Sequence, residues 1–538
     1  MHPHRTALKN KLLFKNTLRF IIPALLLLSS CNWFKETPEI GLVLADHFKD
    51  KLYKNFDTAA YNVVFQKHLD SLAPKFSNPK TLKSFYEAKE LQPVLVTQFY
   101  AAGGLTDLLE YIGKSSNHGY NPKLFRYTQL KELMETLSAN KFKNIEEVYP
   151  VIADLELNAA EALIKYNNFM FYGSINPRKL FNRYYIQVKR PDSLGIQKVL
   201  STKNISLLLA DVQPKSEHYR ALQQRYQFLK QDSGLNNPTA KTLLVNMERL
   251  RWKIGELGEE YIEVNIPDFT LTWFNNQDTV THMRVCVGGK REKDYKQKQA
   301  LFAKSGKLDD KPKNHETPIL MSRFNSIQVN PIWNIPVSIA RSEIYWMARK
   351  DPYYLSNNNI KVYYKGKLIN DPDTIQWNKY QREKLPFQFK QGSGNDNALG
   401  KFKFIFENGS SIYLHDTNYK NGFKLANRAI SHGCVRVERP LEFAEHMVKD
   451  KYQYDDLRME VNLAPLDTTR MSVFRKKLEK KADTLNVFEL KPKWFGVRKQ
   501  FPILINYKTA WSDHGKIEFR PDVYGLDETL WEAMRKFL

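Results

Sequence analysis

The sequence predicts a multidomain α+β protein, with an all-α N-terminal part over 31–255 and a mainly β part from 256 onward. Three observations carry that reading. A chain of 538 residues exceeds the usual size of one domain. Between 37 and about 255, apolar residues recur at helical spacing, as in Leu105–Ile112 and Ala159–Phe171. From Tyr261 the period falls to two: Tyr261-Ile-Glu-Val-Asn-Ile266 alternates, and Phe269–Phe274 follows Pro267 as a second strand. A hydrophobic content of 42% with 13% aromatics supplies large cores and excludes a globally disordered chain.

The chain opens on five positive charges without an acid (Arg5, Lys9, Lys11, Lys15, Arg19), followed by an apolar run from Phe20 to Leu28. That run is too short to span a bilayer, so 1–30 reads as a signal peptide. Leu28-Ser29-Ser30-Cys31 matches a bacterial lipobox, which implies cleavage before Cys31 and acylation of its thiol. The protein is therefore expected outside the cytoplasm, in the periplasm, as a lipoprotein held to a membrane by its lipid. The formal charge of +24 favours acidic partners or simply a solvated basic surface. No helix-turn-helix, zinc or RNA-binding signature appears, so nucleic acid is not expected as a partner. Of three cysteines, Cys31, Cys286 and Cys434, no pair has zinc-site spacing, and no metal is expected.

Turn chemistry separates the helices of the first part at Ala102-Gly103-Gly104, His118-Gly119-Tyr120-Asn121-Pro122 and Tyr172 to Pro177. His118 reads as a turn residue. In the β part, 275–278 makes a hairpin, Val280–Val287 returns through Cys286, and 317–322 and 324–330 continue the pattern. Lys290–Lys313 is polar and basic and is expected to be a mobile loop. A Tyr-, Lys- and Asn-rich insertion over about 338–394 interrupts the strands with helix-like and loop-like stretches; a long insertion in a compact β domain is often a lid. Pro440 stands at a first helical position, with Leu441, Ala444, Met447 and Val448 on one face. Residues 464–500 read as a basic linker with a Lys/Glu-rich helix near 472–483, and 501–538 as strands completing the β domain, which otherwise spans 256–463.

The chemistry concentrates at Ile412-Tyr-Leu-His415-Asp-Thr417 and Ile430-Ser431-His432-Gly433-Cys434-Val-Arg436-Val437, with His415 nineteen residues ahead of Cys434. A free thiol, with a pKa near ~8.5, is only a few per cent ionised at neutral pH, and a nearby imidazole can take its proton and return it to a leaving amine. Gly433 lets the backbone approach a substrate, and N–H groups at this bend could form an oxyanion hole.

These residues closely resemble the signature of the L,D-transpeptidase catalytic domain, the YkuD type, in which a His precedes Ser/Thr-His-Gly-Cys. Pro331-Ile-Trp333-Asn-Ile-Pro336, Ser338 to Glu343 and Asp396-Asn397-Ala-Leu-Gly400-Lys resemble the same family. The helical part, through His118-Gly-Tyr-Asn-Pro and Gly173-Ser-Ile-Asn-Pro-Arg178, resembles the scaffold domain of large enzymes of the YcbB type. The resemblance implies that Cys434 is the nucleophile and His415 its base and acid. It also implies that the Asp416 carbonyl orients the imidazole and that Ser431, His432 and Gly433 shape the nucleophile turn. Arg436 either meets a substrate carboxylate or forms a structural ion pair. The insertion corresponds to a capping lid. The implied activity joins the third residues of peptidoglycan stem peptides through a cysteinyl acyl-enzyme, releasing D-alanine, with no cofactor; carbapenems are expected to acylate Cys434. The same acyl-enzyme resolved by water or a protein amine would give an L,D-carboxypeptidase or a wall-attachment enzyme, and a degenerate site would leave a wall-binding lipoprotein. One feature departs from the family. The segment between Lys230 and Asn246 is too short for the peptidoglycan-binding module usual there.

Overall fold

The structure is a computed structural model that describes residues 36–233, 237–276, 278–482 and 490–538. The expected signal peptide and the acylation site Cys31 lie outside the described residues. Among the described residues no helix is long and apolar enough to cross a membrane. The chain divides into two compact units.

The first unit takes in the described residues up to Ile112 together with Phe125–Lys165 and Ser193–Leu208. It is helical, and the N-terminal part of the helix Val148–Tyr172 supplies its most buried face, from Val148 through Leu163. That helix also buries Glu156, whose carboxylate accepts from Tyr86 Oη (2.7 Å), Leu95 N (3.0 Å) and Val96 N (2.8 Å). The short helix Val94–Phe99 has no side-chain cap of its own. Glu156 therefore satisfies its free N–H groups from the side.

The second unit takes in Gly113–Leu124, Tyr166–Asp192 and Leu209–Leu538. Its main sheet is built from β1 (Glu260–Asn265), β2 (Thr270–Asn275), β3 (Asp278–Gly288) and β4 (Leu320–Val329). The inserted sheet begins earlier than 338, with β5 (Trp333–Ile335), and continues with β6 (Ile360–Tyr364), β7 (Lys367–Ile369) and β8 (Phe387–Gln391). The main sheet resumes with β9 (Phe402–Phe406), β10 (Leu414–His415), β11 (Ala429–Ser431), β12 (Val435–Val437), β13 (Lys493–Gly496) and β14 (Pro502–Asn506). A hairpin of β15 (Ala510–Asp513) and β16 (Lys516–Phe519) follows.

The strand order is β11-β3-β12-β10-β9-β4-β14-β1-β2, and β2 pairs back onto β3, so the sheet closes on itself. Two long strands change partners along their length. β3 runs beside β2 to Arg284, then beside β12 and β11. β4 runs beside β14 to Arg323, then beside β9. Alternation sends Val285, Phe324, Phe402, Phe404, Leu414, Val435 and Val437 inward, each removed from water. Each such burial is worth about 1.5–3 kcal/mol. The helix Pro440–Met447 packs Phe443 among them, 4.7 Å from the Phe404 ring and 5.6 Å from Trp273.

The structure changes several expectations. The compact units do not divide at residue 255: Tyr219, Leu222 and Tyr226 of the helix Glu217–Ser233, and Leu243 and Leu244 of Pro238–Arg251, share the buried core of the sheet. Apolar surface turned toward the sheet, not the change of period, decides where the unit begins. Lys290–Lys313 contains the helix Tyr295–Ser305, which has no buried residue and so gave no amphipathic signal. The segment 464–500 has the helix expected near 472–483, as Met471–Ala482, but its end is no linker: β13 pairs with the free edge of β4. The insertion is itself a sheet, ordered β5-β8-β6-β7, around a separate core of Ile344, Tyr345, Leu355, Val362, Trp377 and Phe389. Asn397 Nδ2 donates to Pro331 O (3.0 Å) and Gly392 O (2.8 Å), joining the two ends of the insertion. His118 is buried, with Nδ1 2.8 Å from Tyr219 Oη.

Candidate active site

Three adjacent strands, β12, β10 and β9, position the sequence-predicted residues: His415 ends β10, and Cys434 immediately precedes β12. His415 of β10 lies directly opposite Arg436 of β12 on one side and Lys403 of β9 on the other. Cross-strand partners share a face, so Arg436, His415 and Lys403 form one row on the outward face, while Val435, Leu414 and Phe404 point into the core. One step back, Val435 N donates to Tyr413 O (3.2 Å), which sets Tyr413 beside Cys434. The outward lattice therefore reads Arg436–His415–Lys403 in one row and Cys434–Tyr413 in the next. The sequence names Cys434, His415 and Arg436 of this lattice as candidates, and gives no local signal for Tyr413 and Lys403.

His415 is buried, and its Nδ1 donates to the main-chain carbonyl of Asp416. That bond fixes the proton on Nδ1 and leaves Nε2 as the basic nitrogen. Burial first, then the charge of Arg436, pulls the imidazole pKa down to about 3, although the bond to Asp416 works against this. Cys434 is half-buried. Burial pushes its thiol up; the N–H and hydroxyl of Tyr413 and the charges of Lys403 and Arg436 act in the opposite direction. Both shifts favour the uncharged forms, thiol and imidazole. The Asp416 carboxylate does not face the imidazole. It accepts from Lys401 N (2.8 Å) and Thr417 N (2.7 Å) and pairs with Lys420.

The turn that carries Cys434 is held from several sides. Ser431 Oγ donates to Cys434 O (2.5 Å) and accepts from Gly433 N (3.1 Å). Gly433 has φ +123°, a left-handed conformation that a side chain would strain. Thr317 Oγ1 donates to Gly433 O and accepts from Gly288 N, both at 2.8 Å. A Cβ on Gly288 would lie 1.8 Å from His315 O, so this contact between β3 and 315–317 admits only glycine. His432 turns away from the sulfur: its Nε2 meets Glu343 Oε1 of the insertion at 2.6 Å, and its ring packs edge-on against His315 at 4.7 Å.

Arg436 has no carboxylate partner among the described residues, and its Nε is buried without a hydrogen bond. Beyond Tyr413 and Lys403 an open groove of about 690 Å³ runs along β9 toward Glu407. Among the described residues no group of three or more His, Cys, Asp or Glu is arranged to hold a metal ion.

Residues 259–461 match the L,D-transpeptidase catalytic domain family, and residues 80–225 match the Scaffold domain family. A protein of Haemophilus influenzae named "Putative L,D-transpeptidase" is 27% identical over 368 residues, covering 67% of this chain and 64% of its own length. The chain thus spans just under two thirds of that relative.

Proposed function

We propose, for a chain that carries the L,D-transpeptidase catalytic domain together with a Scaffold domain, that it cross-links peptidoglycan stem peptides through a thioester on Cys434. The observation that carries this reading is the arrangement of Cys434 beside Tyr413 and of His415 with its Nδ1 proton held by Asp416 O. That arrangement leaves a base and a nucleophile on one face of the sheet. His415 Nε2 takes the thiol proton as the sulfur attacks the carbonyl of the third stem residue. Tyr413 donates to the sulfur while its charge develops. Gly433 N–H is taken by Ser431, so the Cys434 N–H is the amide left at the bend to meet the oxyanion. The C–N bond then breaks, and His415 returns its proton to the amine of the departing D-alanine. A side-chain amine of a second stem attacks the thioester, completing the cross-link between third residues. Arg436, without an acid partner, binds a carboxylate of the donor stem.

In this reading the protein is a periplasmic lipoprotein anchored through Cys31, and carbapenems acylate Cys434. The test incubates the chain from Asn32 onward with a disaccharide-tetrapeptide and reads the products by mass spectrometry beside Cys434→Ala. A cross-linked dimer lacking one alanine, absent from the variant, is the expected result. A tripeptide monomer alone would make the enzyme a carboxypeptidase, and unchanged substrate would sink the catalytic reading.

A further inference from the structure

The second half of that reaction needs an amine, and the structure shows where it can lie. Along β9, residues 403 and 405 face outward because 402, 404 and 406 are buried in the core, and the exposed Glu407 follows the strand's end. Lys403, Ile405, Glu407, Ser411, Ile412 and Tyr413 line the groove of about 690 Å³. Its two ends are chemically distinct. The far end carries the exposed carboxylate of Glu407, and the middle is apolar. The near end is Lys403, half-buried, with its Nζ 3.9 Å from the centre of the Tyr413 ring. Among the described residues no carboxylate pairs with Lys403. From 403 to 407 the strand advances about 13 Å, the length of a short extended peptide.

We propose that this groove holds the amine side of the reaction, and that Lys403 grips a carboxylate borne on the same carbon as the reacting amine. The ligand class is an α-amino carboxylate, free or at the end of a stem side chain. The departing alanine belongs to this class, so the path by which it leaves can also admit an incoming amine of the same chemistry. Lys403 lies in register beside His415, so a carboxylate on it places the neighbouring nitrogen toward the base. The nitrogen lone pair forms the C–N bond, the C–S bond breaks, and the proton lost from nitrogen passes through His415 to the sulfur. An ammonium ion is disfavoured next to Lys403 and Arg436, which helps the amine arrive uncharged. This inference rests on the acyl-enzyme reading above.

The experiment forms the acyl-enzyme with tetrapeptide donor, confirms it by intact mass, and adds D-methionine and D-methioninamide as competing acceptors, whose products differ in mass from the donor and from each other. The readout is the ratio of the two transfer products. Acylation rate does not enter that ratio, and the different basicity of the two amines is common to every variant compared. Lys403→Met is expected to lower the preference for the free carboxylate about tenfold, the usual worth of one charge-assisted contact. Lys403→Arg should retain it, and Ser411→Trp should slow transfer to both acceptors relative to hydrolysis. Lys403→Gln carries the same comparison if the Met variant does not fold. An unchanged ratio in Lys403→Met, or its loss in Arg436→Met instead, would overturn the assignment. A wild-type chain that never forms the acyl-enzyme would instead overturn the reading on which this one rests.

Discussion

A thiol whose ionisation is opposed by burial has to lose its proton in the step that uses it. Cys434 is such a thiol, and in the proposed reaction His415, held neutral by burial and by the charge of Arg436, is the base that takes that proton. Replacing His415 by Ala should therefore slow acylation by about 10²–10⁴-fold, the usual worth of a positioned base. Because the imidazole pKa is down at about 3, His415 is already unprotonated throughout pH 5–7.5. Stopped-flow acylation should then show no step across that range; a fall with a midpoint near the ordinary histidine value would refute the neutral pair. Tyr413 acts on the sulfur, not on the base. Removing its hydroxyl in Tyr413→Phe takes away a hydrogen bond to a developing anion, worth about 1.5–3 kcal/mol. Iodoacetamide labelling of Cys434 at pH 8 should slow by about tenfold or more, and its pH midpoint should move up.

At the level of elements, the turn that carries Cys434 depends on a contact with the segment before β4. Thr317 joins Gly433 to Gly288 through one hydroxyl, and Tyr524 Oη donates to Gly288 O (2.6 Å) and accepts from Thr317 N (3.1 Å). Thr317→Val keeps the shape but leaves a buried N–H and a buried carbonyl without partners, at a cost of about 2–4 kcal/mol. Urea titration should show that loss, and acylation should fall with it even though Thr317 touches no substrate. None of this was legible in the sequence, where Thr317 was one residue of a β run. The elements that were legible had a period to read: the alternation in 261–274 and 324–330, and the apolar face after Pro440. Cys434 and His415 were legible because their neighbours form a contiguous motif. Lys403 and Tyr413 complete the same lattice through strand register, and register is a long-range property that local patterning does not encode. The inserted sheet stayed hidden because β5 and β7 are three residues each, too short to show alternation.

Across the whole molecule, the largest shifts among the buried histidines and Glu156 give the two compact units opposite responses to acid, with Glu316 of the second unit, raised by burial, acting against its neighbours. The second unit buries His118 and His415, each pulled down to about 3 mainly by burial. An unfolded histidine titrates near 6.5, so as pH falls below 6.5 the unfolded chain takes up protons that the folded unit refuses. The stability these groups contribute is complete above 6.5 and is lost progressively toward 3, at about 1.4 kcal/mol per pH unit for each histidine. Glu260, Glu438 and Glu460 of the same unit are held below the usual carboxylate range despite partial burial, by their lysine and arginine partners, and add losses of the same sign at lower pH. The first unit carries the reverse case. Glu156 is raised to about 7, chiefly by burial, so the folded unit binds a proton that the unfolded chain releases above about 4.5. Its contribution is complete below 4.5 and is lost as pH rises toward 7, while Glu161, also raised by burial, acts in the same direction. Hydrogen exchange followed by mass spectrometry at pH 7.5 and 4.5, corrected for intrinsic rates, should resolve the two. Peptides from β9, β10 and β12 should lose protection at pH 4.5, whereas those from 86–99 and 148–163 should hold or gain it. Equal loss in both sets would mean that the carboxylate of Glu156 is stabilised as an anion by Tyr86 and the helix amides more than burial opposes it. Glu156→Gln would then decide the matter: it should flatten the response of 86–99 and leave that of β9, β10 and β12 unchanged.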